Sequence, residues 1–182
     1  MKFNLPHIAS LDLNQYINQL GDNIHGCEVG VWEGDNLCHM LESCPNIKNI
    51  IGIDPYTPYD DYAGSMVAEQ FDGVRQKLFS NIASVDSTDR VTFLETTSLD
   101  GSTQFEDGVL DFVFIDANHT YQHAYEDFNL FYSKVKSGGI FAGHDFSIPG
   151  VNQALVQFLN ERGVENGRVS LLRNDSWFFY KD

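Results

Sequence analysis

Basic residues are scarce in this 182-residue chain, which has 11 lysines and arginines against 26 aspartates and glutamates. The resulting net charge of −15 repels the phosphate backbone of nucleic acids and the anionic surface of a membrane. We therefore expect neither a nucleic-acid partner nor a membrane partner. The excess acid is interpreted as a solvated surface, and a hydrophobic content of 42% excludes a disordered chain.

Cysteines are few, and their spacing is not that of a metal or redox site. Cys27, Cys38 and Cys44 are odd in number, form no C-x-x-C pair and follow no signal-peptide pattern. This predicts reduced, mostly buried thiols and a cytoplasmic location. The chain also has no apolar run long enough to span a bilayer, no repeat and no linker-like stretch. We expect one domain over residues 1–182, in which residues 1–22 form a helical extension packed on the main body.

A glycine turn after a short apolar run organises the chain. Residues 27–31 are predicted to form a buried strand that ends in a turn with Gly30 and Gly34. A helix that Asp35 caps is predicted to follow. Because glycine lacks a Cβ atom, such a turn can bend sharply and approach a ligand closely. The free N–H groups of the next helix suit an anionic or nucleotide-like cofactor. The spacing departs from the dinucleotide pattern G-x-G-x-x-G, so a tight turn without a ligand is the alternative.

Strands and helices alternate along the rest of the chain. Thr120 is expected to cap a helix that residues 137–139 close, and Asn174 and Asp175 are expected to form the turn of a terminal hairpin. The alternation indicates an α/β fold: a Rossmann-like, doubly wound, seven-stranded, mostly parallel sheet with an antiparallel C-terminal hairpin strand and helices on both faces. The predicted strands are 27–31, 49–53, 91–94, 109–115, 140–143, 168–172 and 176–180.

Polar or glycine positions follow five of the predicted strands. In open α/β sheets, ligands bind at the carboxyl ends of the strands, near the point where the strand order switches. Asp54 lies about twenty residues beyond Gly34, where an acid accepts hydrogen bonds from ribose hydroxyls; an ordinary loop acid is the alternative. The loop 55–64, with three tyrosines, lies on the same edge and either covers the ligand or has no such role. The five positions are Gly30, Asp54, Ser98, Asp116 and Asp145.

The whole pattern resembles a class I S-adenosylmethionine-dependent methyltransferase, over roughly residues 24–180. The acid and glycines of the turn, the acid after the second strand and the terminal hairpin carry this resemblance. More narrowly, residues 114–121 (FIDANHTY) and 138–146 (GGIFAGHDF) are similar to the family called methyltransferase type 24. That family is related to small O-methyltransferases, some of which act on sugars of natural products.

The resemblance implies a role for each position of the predicted site. It assigns the methionine portion of the cofactor to Glu28, Gly30 and Gly34, the ribose to Asp54, and the adenine to Thr97 and Ser98. The family usually has Gly-Asp-Ser where this chain has Thr96, Thr97 and Ser98, and this departure leaves open how the adenine amino group is recognised. Asp116 sits where the family places an acid near the cofactor that often ligates a divalent metal.

Asp116 and Asp145 end adjacent predicted strands, so their carboxylates can meet at one site. Oxygen ligands of this kind suit Mg²⁺, and a hydroxyl bound to the ion loses its proton more readily. His144 is then a third ligand or a general base. In the metal-free alternative, Asp145 orients the substrate and His144 takes the proton. His119 is interpreted as a loop histidine that caps the next helix.

The function that follows is transfer of a methyl group from S-adenosylmethionine to a hydroxyl of a small molecule or sugar, with Asp116, His144 and Asp145 as catalytic residues. A non-catalytic module that kept the cofactor pocket is one alternative. An NAD-dependent oxidoreductase is another, because Tyr132 and Lys136 have the Tyr-x-x-x-Lys spacing of short-chain dehydrogenases. The lack of a substrate-capping insert indicates a small open site, or one that a partner subunit completes in a homodimer.

Overall fold

Seven strands and six α-helices are formed by residues 8–57, 68–86 and 89–182, the parts that this computed structural model describes. The strands are β1 (Ile24–Val29), β2 (Ile47–Ile53), β3 (Val91–Leu94), β4 (Leu110–Ile115), β5 (Val135–Gly143), β6 (Ser170–Leu171) and β7 (Trp177–Tyr180). The helices are α1 (Asn14–Ile17), α2 (Asp35–Ser43), α3 (Ala68–Val85), α4 (Ser98–Ser102), α5 (Tyr121–Tyr132) and α6 (Pro149–Glu161), with a 3₁₀ turn at Asn166–Arg168. Most of the predicted tyrosine loop, from residue 58 onward, lies outside the described residues.

The strands form one sheet in the order β3-β2-β1-β4-β5-β7-β6. The first five are parallel, and β7 runs antiparallel to both β5 and β6. The sheet is built outward from β1 in one direction through β2 and β3, and in the other through β4 and β5. The predicted fold class is therefore confirmed, and the switch in strand order lies between β1 and β4, where such sheets bind ligands.

Both faces of the sheet are covered, because side chains point alternately to opposite sides of each strand. In β4, Phe112 and Phe114 pack in the cluster that contains α1, α2 and α3. Val113 and Ile115 pack in the opposite cluster with α5 and α6. All four side chains are buried, which explains why this strand reads as a nearly continuous apolar run.

The N-terminal segment, defined as residues 8–20, is less helical than predicted. Only Asn14–Ile17 is α-helical, and turns flank it on both sides. Part of the backbone before the helix bonds to the main body instead: the Ser10 amide donates to Asn36 Oδ1 at 2.7 Å. Leu13 is fully buried, so packing rather than helical regularity holds the segment in place.

The N-terminal segment also contacts the turn between β6 and β7, from the other end of the chain. Arg173 forms an ion pair with Asp12 through two nitrogen atoms, at 2.9 and 2.7 Å. Two further side chains of the turn donate to backbone carbonyls of the segment, namely Asn174 Nδ2 to Ile8 and Ser176 Oγ to Ala9. The predicted hairpin is confirmed, and its turn contains Asp175 in the left-handed region at φ +61°.

Two predicted boundaries near the glycine turn are wrong. β1 ends at Val29 rather than at residue 31, because Gly30 leaves the extended conformation at φ +85°. Asp35 does not cap α2: it is the first helical residue, and Gly34 is the N-cap, at φ +79°. The turn is thus completed by the second glycine itself.

The sequence predicted that residues 137–139 close α5, but these residues belong to β5. The helix ends at Tyr132, and Val135 already pairs with Leu110 of β4. The next pair is Phe112 with Ile140, so β5 advances five residues while β4 advances two. The glycines are needed for this irregular stretch of strand, and Gly138 adopts φ +77° within it.

The three cysteines are buried and free, as predicted. Within the described ranges, no helix combines the length and the apolar character that crossing a bilayer requires.

Candidate active site

A cavity of about 710 Å³ opens at the carboxyl ends of the parallel strands. This volume lies within the range of small-molecule and cofactor sites. All of the sequence-predicted site residues except Gly34 lie on its wall: Glu28, Gly30, Asp54, Thr97, Ser98, Asp116, His144 and Asp145. The convergence that the strand ends predicted is therefore present in the structure.

Protein atoms lie close to both glycines of the turn. A Cβ atom on Gly30 would lie 2.1 Å from the backbone oxygen of Asp116, so this glycine lets the ends of β1 and β4 meet. A Cβ atom on Gly34 would lie 2.4 Å from Leu78 Cδ1, so the second glycine lets α3 pack on the turn.

Asp54 braces the glycine turn from the end of β2. Its Oδ2 atom accepts hydrogen bonds from the backbone amides of Val31 and Trp32, both at 3.0 Å, and its Oδ1 atom accepts one from Tyr56, also at 3.0 Å. The role of a loop acid, which the sequence left as an alternative, is therefore present. A carboxylate oxygen has more than one lone pair, so the same group on the cavity wall can also accept from ribose hydroxyls.

Glu28 is a buried acid with one unpaired oxygen. Its side chain is 1% exposed, Oε1 accepts from Asn36 Nδ2 at 2.9 Å, and Oε2 has no hydrogen-bond partner. Burial raises the pKa of Glu28 well above its usual range. An unpaired buried carboxylate oxygen is costly unless a donor occupies the cavity beside it. Glu28 lines the cavity, and the ammonium group of S-adenosylmethionine is the kind of donor that this carboxylate lacks.

Asp116, His144 and Asp145 form a compact acid–histidine cluster at the ends of β4 and β5. Ligand atoms of the three residues lie within 4.8 Å of one another. His144 Nε2 lies 2.7 Å from the carbonyl oxygen of Asn174. Since a carbonyl only accepts, Nε2 carries a proton and Nδ1 faces the carboxylates, 3.1 Å from Asp145 Oδ1 and 3.7 Å from Asp116 Oδ1.

The carboxylates of the cluster stabilise charge on both neighbouring histidines. Burial opposes a charged imidazole, but hydrogen bonds to Asp116 and Asp145 outweigh it and raise the pKa of His144 to about 10. Burial likewise acts to raise the pKa of Asp145, but hydrogen bonds from His119 and His144 hold it well below its usual range. His144 is therefore protonated on both ring nitrogens at neutral pH. It must lose the proton on Nδ1 before that atom can accept another proton or bind a cation.

The sequence analysis interpreted His119 as a cap of α5, but His119 does not cap this helix. Thr120 is the N-cap, and its side chain accepts from the amide of His123. His119 Nε2 instead lies 2.7 Å from Asp145 Oδ2, and this hydrogen bond raises the pKa of His119. The interpretation as a capping residue is wrong because the following threonine serves that purpose, which leaves the ring free to pair with Asp145.

The donor set of the cluster fits a divalent cation. Two carboxylates and one imidazole supply oxygen and nitrogen ligands from three side chains, and they leave room in the coordination sphere for water or a substrate hydroxyl. Carboxylate oxygens suit Mg²⁺ and Mn²⁺, whereas an imidazole nitrogen suits transition metals such as Zn²⁺ and Fe²⁺.

Asp127 is a cavity residue that the sequence analysis missed. It lies on α5, is 5% exposed and is hydrogen-bonded to Ser98. Burial raises its pKa to about 7. Its spacing could have revealed it, because residue 127 falls on the same helical face as Ala124, Phe128 and Phe131, which are all buried.

We expect Asp127→Asn to stabilise the protein more at pH 8 than at pH 4. Between its unfolded pKa near 4 and its folded pKa of about 7, the native aspartate binds a proton that the unfolded chain has lost, so the free energy of unfolding falls as pH rises. Asparagine removes this loss, which is on the order of 4 kcal/mol. Urea unfolding across this pH window measures the effect, with exposed Asp22→Asn as control. A constant difference between Asp127→Asn and wild type would contradict the burial of a titrating carboxyl group.

The Tyr-x-x-x-Lys spacing does not form a dehydrogenase pair. Tyr132 is the last residue of α5, whereas Lys136 lies in β5 and donates to Asp111 Oδ1 at 2.7 Å. Neither is among the described residues that line the cavity.

The fold and the cavity have the features of a class I S-adenosylmethionine-dependent methyltransferase. The strand order of the parallel sheet reverses between β1 and β4, the seventh strand is antiparallel, and the cavity lies at the carboxyl ends of the parallel strands. Residues 27–146 match the methyltransferase type 24 family, which is described as a methyltransferase domain. The chain belongs to this family.

Similar proteins are known from sequence and from structure. An uncharacterised protein of Acanthamoeba polyphaga mimivirus is 31% identical over 128 residues, which cover 69% of this chain and 52% of that protein. The chain thus spans about half the length of this curated relative. The O-methyltransferase NovP has a TM-score of 0.65 at 16% identity, over 94% of this chain and 80% of the other. A putative caffeoyl-CoA O-methyltransferase from Staphylococcus aureus has a TM-score of 0.62 at 19% identity, over 95% and 83%. Both structures share the fold.

Proposed function

We propose that the protein transfers the methyl group of S-adenosylmethionine to a hydroxyl group of a small molecule or sugar, with a divalent cation held by Asp116, His144 and Asp145. One observation carries the proposal: a single cavity is lined both by Glu28, whose Oε2 atom has no hydrogen-bond partner, and by the acid–histidine cluster. The first suits the cationic end of the cofactor, and the second suits a hydroxyl that must lose its proton. The O-methyltransferase activity in the names of two structural neighbours supports the choice of oxygen as acceptor.

The cofactor is bound along the ends of β1, β2 and β3. Glu28 accepts from its ammonium group, and Asn36, itself fixed by the Ser10 amide, holds that carboxylate in place. Asp54 accepts from the ribose hydroxyls with the lone pairs that the turn leaves available. Ser98, with Thr97 beside it, lies near the adenine. A cofactor held by these residues would supply its methyl group in the same cavity that the acid–histidine cluster lines.

The acceptor hydroxyl is positioned by the ends of β4 and β5. Its oxygen forms a bond to the methyl carbon, the bond between carbon and sulfur breaks, S-adenosylhomocysteine leaves, and the hydroxyl proton passes to water. A bound divalent cation would lower the pKa of the hydroxyl. Asp116 and Asp145 would position the acceptor oxygen for attack, and such positioning supplies much of the rate of a methyl transfer.

We expect Glu28→Gln to weaken binding of S-adenosylmethionine by about 10- to 100-fold, because a hydrogen bond to a charged group contributes roughly 1.5–3 kcal/mol. Calorimetric titration measures the affinity, with NAD as a control ligand and exposed Glu106→Gln as a control variant. Equal affinity in Glu28→Gln and wild type would refute the assignment of Glu28. Binding without methyl transfer to any acceptor would instead indicate a cofactor-binding module.

A further inference from the structure

The wall of the cavity has an unusual charge composition. Eight of its described residues are carboxylates, and none is a lysine or an arginine. Five of the eight are assigned above to the cofactor, the cluster or the pair of Asp127 with Ser98. Glu33, Asp35 and Glu126 are additional, so the acidity of the wall exceeds what those roles require.

Several basic residues of the chain are paired with acids outside the cavity wall. Lys134 and Lys136 bind Asp107 and Asp111 at the amino ends of β4 and β5, at the opposite edge of the sheet from the cavity. Arg75 of α3 is held by Glu95 and Asp72, and Arg168 and Arg173 pair with Asp182 and Asp12. Outside the described ranges, Lys2 is the only lysine or arginine in the sequence. Among the described residues, no lysine or arginine lines the cavity, so none is placed on its wall to receive a phosphate or carboxylate.

Bound ligands do not reverse this charge. The sulfonium and ammonium groups of the cofactor and a divalent cation balance fewer negative charges than the carboxylates of the wall and of the cofactor provide, even when Asp127 is counted as uncharged and every wall histidine as charged. In a partly enclosed, low-dielectric cleft, this excess is weakly screened and acts strongly on an entering charge.

One aromatic side chain at the cavity also favours an uncharged or cationic ligand. Trp32 is 44% exposed on the cavity wall, at φ +50°. Its backbone oxygen accepts from the Tyr56 hydroxyl, its amide donates to Asp54, and its ring meets Phe71 edge-on. An indole fixed in this way offers a π-face to a cation or an aromatic ring.

We propose that the methyl acceptor is an uncharged or cationic hydroxyl compound, and that acceptors bearing a phosphate, a carboxylate or coenzyme A are excluded by the field of the cavity. This inference rests on the proposed function. It separates the protein in substrate class from its structural neighbour named as a putative caffeoyl-CoA O-methyltransferase, because coenzyme A is polyanionic.

Acceptor pairs that differ only in an anionic group test the inference. Suitable pairs are protocatechuyl alcohol against protocatechuate, and glucose against glucose phosphate, with dopamine as a cationic catechol. The readout is release of S-adenosylhomocysteine at fixed cofactor and Mg²⁺. We expect kcat/KM for the uncharged or cationic member to exceed that of its anionic partner at least tenfold, and we expect added salt to narrow the gap.

A charge-reversal variant tests whether the charge of the cavity wall causes the selectivity against anionic acceptors. Glu126→Lys is expected to narrow the gap several-fold, whereas Glu165→Lys, an exposed position away from the cavity, is expected to leave it unchanged. Equal or greater turnover of the anionic members by the wild-type protein would overturn the inference. Tight binding of S-adenosylmethionine with no turnover of any pair would overturn the proposed hydroxyl transfer itself.

Discussion

Replacing Asp116 with asparagine is expected to lower methyl transfer by about a hundredfold or more while the fold stays intact. Asparagine has nearly the same shape, so the change removes mainly the negative charge beside His144 Nδ1. Charge stabilisation by a bound cation contributes several kcal/mol to a reaction of this kind, and a carboxylate ligand is needed to hold the ion. Release of S-adenosylhomocysteine at saturating cofactor, measured over a titration with Mg²⁺ and Mn²⁺, gives the effect.

The interpretation requires that Asp116→Asn act on transfer rather than on folding. Affinity for S-adenosylmethionine and the midpoint of thermal unfolding are therefore measured in parallel, with Asp22→Asn as an exposed control. We expect a small change in cofactor affinity and a large loss of rate. Retention of full activity in the presence of a chelator, in both wild type and variant, would exclude the cation from the mechanism.

Replacing Gly30 with alanine is expected to reduce the free energy of unfolding by about 2–5 kcal/mol. The new Cβ atom would lie 2.1 Å from the Asp116 oxygen and 2.6 Å from its carbonyl carbon, both of which are backbone atoms. Backbone atoms at the end of a central strand cannot move aside cheaply. The positive φ of +85° adds the cost that any residue with a Cβ atom incurs there.

Gly138→Ala is the matched control for this substitution. Gly138 has a similar φ of +77°, but nothing lies within 4 Å of the Cβ atom that alanine would add. The loss of stability in Gly138→Ala, roughly 1–2 kcal/mol, measures the cost of the positive φ alone. Urea unfolding of both variants separates the two terms. If Gly30→Ala loses no more stability than Gly138→Ala, the contact between the ends of β1 and β4 is not as tight as the geometry indicates.

The overall architecture was predictable because its signals are local in sequence. Apolar runs bounded by glycine or acid mark the strands, and the alternation with helices defines a parallel sheet whose carboxyl ends share one edge. The position of Asp116 beside Asp145 followed from that rule alone. The site could therefore be assigned to one edge before any distance was known.

The features that were missed depend on contacts between distant parts of the chain. Val135 begins β5 because it pairs with Leu110, and nothing near residues 135–139 indicates where that strand starts. The short helix α4 forms where Thr97 accepts from the Asp100 amide, a cap that resembles an ordinary polar turn in sequence. The partner of His119 is Asp145, 26 residues farther along the chain, so spacing could not reveal it.

The contacts between the N-terminal segment and the turn of the hairpin affect the order of events during synthesis. Ile8, Ala9 and Asp12 bond to residues that the ribosome adds more than 160 positions later. The same segment steadies Glu28 through Ser10 and Asn36, and the same turn fixes the His144 ring through Asn174. The His144 ring therefore acquires this support only when the last strands have emerged, and the N-terminal segment acquires its contacts with the turn at the same time. A nascent chain that stalls before the hairpin lacks both sets of contacts.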